Sequence, residues 1–243
     1  MIKYFIGVCF IFLVFASCKK ENADFTLEPA TDYFPLQIGK YITYDLDSTV
    51  FTNFGQDKTI RHYQAQYRID AQITDNSQRT GFTINRFLRK DSTQPWQIDN
   101  VFTAFPTSNS IELIQDNLRF IKLILPIKEG FSWKGNSYLP FDPYRSYVFA
   151  NPAFTEDWNY IYEDVNAPTT IGSNNFDNTI TVFEVNDSTG DPKTTEYAEK
   201  TFGIEKYAKN VGLIYKDFIH WEYQAGDNTY KGFGETLSII DHN

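Results

Sequence analysis

The chain of 243 residues carries 22 Lys and Arg against 31 Asp and Glu, a formal net charge of −9 at pH 7. That balance excludes a nucleic-acid binder, which needs clustered basic side chains, and it excludes attachment to anionic lipid by charge alone. The 22 Phe, 16 Tyr and 4 Trp favour strands, and the length suffices for one sizeable core.

From the N-terminus, Lys3 precedes "YFIGVCFIFLVFAS", an apolar run shorter than the roughly 20 residues a membrane-spanning helix needs. A basic start, a short apolar run and the small Ala16 and Ser17 read as a signal peptide over residues 1–17. Cys18 follows directly. Leu13 to Cys18 resembles the bacterial lipobox, with Phe15 standing where a smaller aliphatic residue is usual. The resemblance implies cleavage before Cys18 and lipidation of its sulfur, with acyl chains such as palmitate holding the protein in a membrane. An ordinary secretory peptide that happens to hold a cysteine is the alternative. Cys9 leaves with the signal peptide, so the mature chain keeps one cysteine and has no intramolecular disulfide or cysteine-based metal site. Lys19, rather than an acidic residue, follows the cysteine, which points to the outer membrane. "KKENAD" resembles the export tags of surface lipoproteins in the Bacteroidetes, which are mostly more acidic. A periplasmic and a surface-facing body are therefore both open. Residues 18–32 read as a lipidated, flexible tether, and 33–243 as a single β-rich domain.

"YFPLQIGKYITYDLDSTVF" (33–51) opens that domain with a Pro35–Gly39 turn and an alternating strand. In "KTIRHYQAQYRIDAQIT" (58–74), Tyr63, Ala65, Tyr67, Ile69, Ala71 and Ile73 share one face. Gln64, Gln66 and Arg68 share the other, which makes a long strand with one wet face. "FTINRFLRK" (82–90) returns antiparallel after the turn at 75–81. Shorter strands follow at 101–105, 110–115 and 119–125. "LPIKEGFSWKGN" (125–136) echoes "FPLQIGKYITY" (34–44), which suggests two similar strand starts in one sheet. Pro140, Pro143 and Pro152 mark 136–157 as a long excursion. Strands are expected at 158–165, 178–187 and 193–200, one helical turn at 203–210, and a closing hairpin from 211–224 and 229–241. The expected fold is mainly β: one antiparallel domain, a curved sheet or open barrel with long hairpins, with a β-sandwich as the alternative.

"YFPLQIGKYITYDLDST", "RFIKLILPIKEGFSWKGN" and "YAKNVGLIYKD" together resemble a group of uncharacterised outer-membrane lipoproteins of the Bacteroidetes. That group has no assigned activity, so no residue roles follow from it. The last of the three segments also resembles strands of LolA-like periplasmic lipid carriers.

Catalytic signatures are absent. His62, His220 and His242 have no neighbour at metal-ligand spacing, and no nucleophile elbow or phosphate loop occurs. "NDSTGD" (186–191) holds enough oxygens for part of a Ca²⁺ loop but reads as a hairpin turn. In "FTEDWNYIYEDV" (154–165), Trp158, Tyr160 and Tyr162 share a strand face beside Glu156, Asp157, Glu163 and Asp164. Such a stripe is usually a core face. If exposed, the aromatics with Glu163 would form a binding platform for a glycan or another envelope protein. The expected function is a non-enzymatic binding or scaffold protein, anchored through Cys18 and needing no cofactor or metal. Two alternatives remain: a carrier or sensor of a hydrophobic ligand, and an envelope glycosidase using the paired carboxylates, which needs a set separation between them.

Overall fold

The computed structural model describes residues 28–151 and 155–243. Cys18, the signal peptide and the start of the tether lie outside the described residues. The first half of the body is a meander of β1 (Tyr41–Thr52), β2 (Asp57–Thr74), β3 (Thr80–Arg89), β4 (Gln97–Pro106), β5 (Ser110–Gln115) and β6 (Leu118–Ile124). The second comprises β7 (Ser132–Trp133), β8 (Tyr160–Ile171), β9 (Asn174–Thr189), β10 (Tyr197–Ala208), β11 (Gly212–Gln224) and β12 (Thr229–His242). All twelve join one antiparallel sheet in the order β6-β5-β4-β3-β2-β1-β12-β11-β10-β9-β8-β7. The sheet curls into a nearly closed barrel rather than splitting into the two layers of a sandwich.

The strand order places β1 to β6 and β7 to β12 in the same sequence, displaced by six positions. The two echoing segments start these halves with one device. Gly39 (φ +88°) donates its N–H to the Ile69 carbonyl, and the Ile69 N–H returns to Lys40, both at 2.9 Å. Gly130 (φ +75°) donates to the Tyr162 carbonyl at 2.9 Å, and the Tyr162 N–H returns to Phe131 at 3.0 Å. In each case a left-handed glycine after the proline turn docks the chain on the next strand of its half.

The barrel closes between β6 and β7. The Ile121 N–H donates to the Gly135 carbonyl (2.8 Å), and Trp133 Nε1 donates to the Ile121 carbonyl (2.9 Å). The Tyr162 hydroxyl accepts from the Ile124 N–H (2.8 Å) and donates to the Ile124 carbonyl (2.9 Å), so one side chain substitutes for a missing rung of the ladder. Tyr33 is fully buried beside this seam and donates to Asn166. Residues 28–32, within the expected tether, pack on the body: Ala30 is buried and Glu28 pairs with Lys209 at 2.6 Å.

Inward positions carry the core, including Tyr44, Ala65, Phe102, Ile180, Ile214 and Leu237. The outer surface carries cross-strand polar pairs such as Asp47 with His62 (2.5 Å) and Arg89 with Gln64 (2.8 Å). A barrel that spans a membrane has the reverse arrangement, with an apolar belt outside.

The 58–74 and 82–90 hairpin forms in the predicted pairing, with Ile69 opposite Ile84 and a bulge at Asp70. Ala65 and Ile69 are buried, while Tyr63 and Tyr67 are only half-buried because they border the barrel interior. The helical turn expected at 203–210 is instead the second half of β10. There Gly203, Glu205 and Tyr207 point inward and alternate with half-buried Ile204 and Lys206. A glycine and a glutamate on the inner face hid the period-two pattern. The 193–200 strand likewise begins only at Tyr197, after a turn in which Asp191 accepts the Lys193 N–H. Residues 186–189 belong to β9.

Candidate functional site

A barrel of eight strands is filled by its own side chains or holds one small ligand, whereas larger barrels enclose wider cavities. Here the interior divides into two spaces. Near the start of β1, Tyr44, Tyr67, Phe102 and Tyr207 nearly fill the lumen and leave about 80 Å³. Toward the β1–β2 turn the strands surround a chamber of about 720 Å³ that is open to solvent. Small residues make the difference, since Ser48, Thr49 and Gly234 line the chamber. Gly203 contributes by close approach: a Cβ there would lie 2.9 Å from Glu184 Oε2 and 3.3 Å from the Phe218 ring.

Between the two spaces runs a belt of buried charges from distant strands. Lys122 on β6 donates to Glu184 on β9 (2.9 Å) and to Glu205 on β10 (2.7 Å). Lys216 on β11 donates to Glu235 on β12 (2.7 Å). Arg86 on β3 bonds Asp99 at 2.6 Å and reaches Glu235 at 3.6 Å. Burial pushes the Glu184 carboxyl above its ordinary range and outweighs the pull of Lys122. Burial acts on Glu205 in the same direction, but Lys122, Lys216 and the bond from Tyr207 together hold it below that range. Burial opposes ionisation of Glu235 too, and is overcome by Lys216 and Arg86, so its pKa is lowered. The same carboxylates keep Lys122 and Lys216 protonated against desolvation, with their pKa values raised.

The chamber's walls are aromatic: Phe218 and Phe233 from the sheet, Tyr144 and Tyr147 from the 136–151 excursion. That excursion is fastened by the Ala150 N–H to Glu222 (2.7 Å), by Lys231 to the Val148 carbonyl (2.8 Å), and by Tyr147 stacked on Phe233 (4.8 Å between centroids). Beneath it, His220 packs against Tyr144 and Phe149, with Nδ1 bonded to Thr201 and Nε2 unpaired. Desolvation pushes its pKa down to about 4.

The predicted platform residues are dispersed. Trp158 and Tyr160 line the chamber, Tyr160 almost wholly buried. Tyr162 lies on the same face of β8 but in the seam, 0% exposed, as a structural group. Glu163 points outward into solvent, as its odd position in the strand requires. There is therefore no exposed stripe of three aromatics beside Glu163. Of the four carboxylates considered for hydrolysis, Glu156, Asp157, Glu163 and Asp164, none lines either space. Asp157 pairs with Lys134 and Asp164 with Lys206 outside the barrel. The belt residues escaped the sequence reading, yet each carries one local signal, a charge on the apolar phase of a strand: Lys122 in "RFIKLIL", Glu184 in "TVFEV". Among the described residues no group of three His, Cys, Asp or Glu is placed to hold a metal.

The architecture is thus a twelve-stranded barrel with a polar belt and a one-sided internal chamber, a form suited to enclosing a small molecule. No family profile and no curated protein matches the chain. Solved structures similar to it include the following two. A protein assigned as exported, with a YmcC-like fold, from Bacteroides fragilis is 12% identical over 86% of this chain and 99% of that one, with a TM-score of 0.40. A protein assigned as a lipoprotein from Parabacteroides distasonis is 13% identical over 86% and 98%, with a TM-score of 0.31.

Proposed function

We propose that the chain is a lipid-anchored protein of the outer membrane that binds a small molecule inside its barrel and does not transform it. The chamber of about 720 Å³ carries this reading, since ligand sites typically measure about 300–1,000 Å³ and are lined by aromatics with a few polar groups. The anchor follows from Ala16, Ser17 and Cys18 after the short apolar run. Two experiments test the two parts. Mass spectrometry of the N-terminal peptide should find Cys18 first in the chain and acylated; an unmodified Cys18 rejects the anchor. Native mass spectrometry of the protein extracted from its own envelope should find a bound small molecule. Ser48→Trp, which puts an indole into the chamber, should weaken its hold on that molecule. A wild-type protein that carries no ligand, or a Ser48→Trp variant that keeps its ligand undiminished, rejects the binding reading.

One observation favours a second, hydrolytic reading. Glu184 and Glu205 flank Lys122 with pKa values displaced in opposite directions, as in sites where one carboxyl serves as acid and another as base. Release of reducing ends from an envelope polysaccharide, abolished by Glu184→Gln, would establish it.

A further inference from the structure

We infer that the chamber's ligand is a neutral saccharide, bound by Asn136 and Glu184 with the Trp158 ring as its stacking surface. This rests on the reading of the chamber as a binding site and names the class of ligand.

The charges come first. Each belt cation already has a carboxylate: Lys122 has Glu184 and Glu205, Lys216 has Glu235, and Arg86 has Asp99 and Glu235. A ligand carboxylate or phosphate would have to compete with these carboxylates, and leaving the buried Glu184 or Glu205 unpaired is strongly unfavourable. The belt therefore selects against a charged headgroup.

An acyl chain fits no better. The predominantly apolar space beside Tyr44 and Phe102 holds only about 80 Å³, well below the size of an ordinary ligand site. In the larger chamber an alkyl chain would leave the buried Asn136 Nδ2 donor without a partner, and buried polar groups need partners.

Asn136 supplies the positive argument. It lines the chamber, is 1% exposed, and accepts a bond from the Tyr160 hydroxyl at its Oδ1 (2.8 Å). In that arrangement Nδ2 is a buried donor with no partner. Glu184, on the same chamber, bonds Lys122 through Oε1 and also engages the Tyr160 hydroxyl, and its two oxygens keep lone pairs for a further bond. A free donor and an available acceptor suit hydroxyl groups, which accept and donate at once. Trp158, on the same wall, offers a flat apolar face to the C–H side of a sugar ring. Neutral polyols with one apolar face meet all three requirements.

The test uses the full-length lipoprotein in lipid nanodiscs, presented with neutral and acidic oligosaccharides and with a fluorescent acyl probe. Asn136→Asp keeps the acceptor that Tyr160 uses and turns the free donor into an acceptor. Trp158→Ala removes the stacking surface. Thermal unfolding confirms that each variant is folded, and either folded variant suffices for the comparison. The expected result is binding of a neutral oligosaccharide that weakens at least tenfold in each. Acidic sugars binding in preference would overturn the inference. So would neutral binding that both folded variants leave unchanged. Binding of the acyl probe alone, blocked by Ser48→Trp, would overturn the saccharide while sparing the chamber. No binding of any probe would remove both.

Discussion

The two ends of the barrel are made by the same strands and do different work. At the end where β1 begins, Tyr44, Tyr67, Phe102 and Tyr207 meet across the lumen, and residues 28–40 pack over them. At the other end the inward position of β1 passes to Ser48, opposite Glu235, and the lumen opens to about 720 Å³. What changes is the volume and polarity of every second residue, so one end is core and the other is site. The charged belt is the boundary between them.

The largest effect should come from cutting that boundary. Lys122→Met leaves Glu184 and Glu205 buried without their shared cation. Removing one partner of a buried pair typically costs about 3–5 kcal/mol. Urea unfolding should show a loss of that order, partly restored by adding Glu184→Gln. A loss below about 1 kcal/mol would mean that the belt is solvated and does not divide the barrel. The packed and hollow ends can then be compared directly. Phe102→Ala, in a residue 1% exposed, should cost about 3–5 kcal/mol. Tyr147→Ala, in a residue 38% exposed at the chamber wall, should cost less than about 1.5 kcal/mol and act on ligand binding instead. Equal losses would erase the distinction.

A smaller effect depends on pH. Burial holds His220 near 4 in the folded chain, against about 6.5 unfolded. Its folded pKa is depressed, so the unfolded chain takes up the proton first. Stability from this group is complete above about pH 6.5 and is lost as pH falls to about 4, by at most about 3 kcal/mol. Glu205 and Glu235, also depressed, lose their contribution only below the ordinary carboxylate range. Glu184, raised, works in the opposite sense: its protonated form favours the fold, so its contribution declines as pH rises through its folded pKa. His220→Gln should flatten the slope between pH 6.5 and 4. An unchanged slope would show that the histidine beneath the excursion is hydrated.

The packed end was far more legible in the sequence than the chamber end. The 58–74 and 82–90 hairpin declared itself because Tyr63, Ala65, Tyr67 and Ile69 are apolar in turn, and Arg86 is the one charge on the inward phase of 82–90. In β10 the inward Gly203 and Glu205 broke the pattern, and a strand read as a helical turn. The same substitution of polar for apolar inward residues that obscures a strand also creates the belt. Lys122 meets Glu184 and Glu205 across 62 and 83 positions of sequence, and no local rule pairs residues at such distances. Trp158 and Tyr160 did reach the site, whereas Tyr162, two positions further, went to the seam. Alternation assigns a face; it cannot say which stretch of that face lines a cavity and which closes a barrel.

The smallest effect concerns how the packed end is fastened. The Pro35–Gly39 and Pro126–Gly130 turns start the two six-stranded halves and dock on Ile69 and Tyr162 through matching pairs of backbone bonds. A Cβ on either glycine would meet nothing within 4 Å, so space is not the constraint; φ of +88° and +75° is. A left-handed conformation costs an L-residue about 1–2 kcal/mol. Gly39→Ala and Gly130→Ala should therefore destabilise by about the same small amount, read as equal shifts in the urea midpoint. If the turns are one device used twice, neither half of the barrel should notice which copy was strained. A loss confined to Gly130→Ala would locate the weak point at the seam, where β7 contributes only two residues and the Tyr162 hydroxyl stands in for the missing rung. The halves would then share a sequence pattern but not a mechanical role.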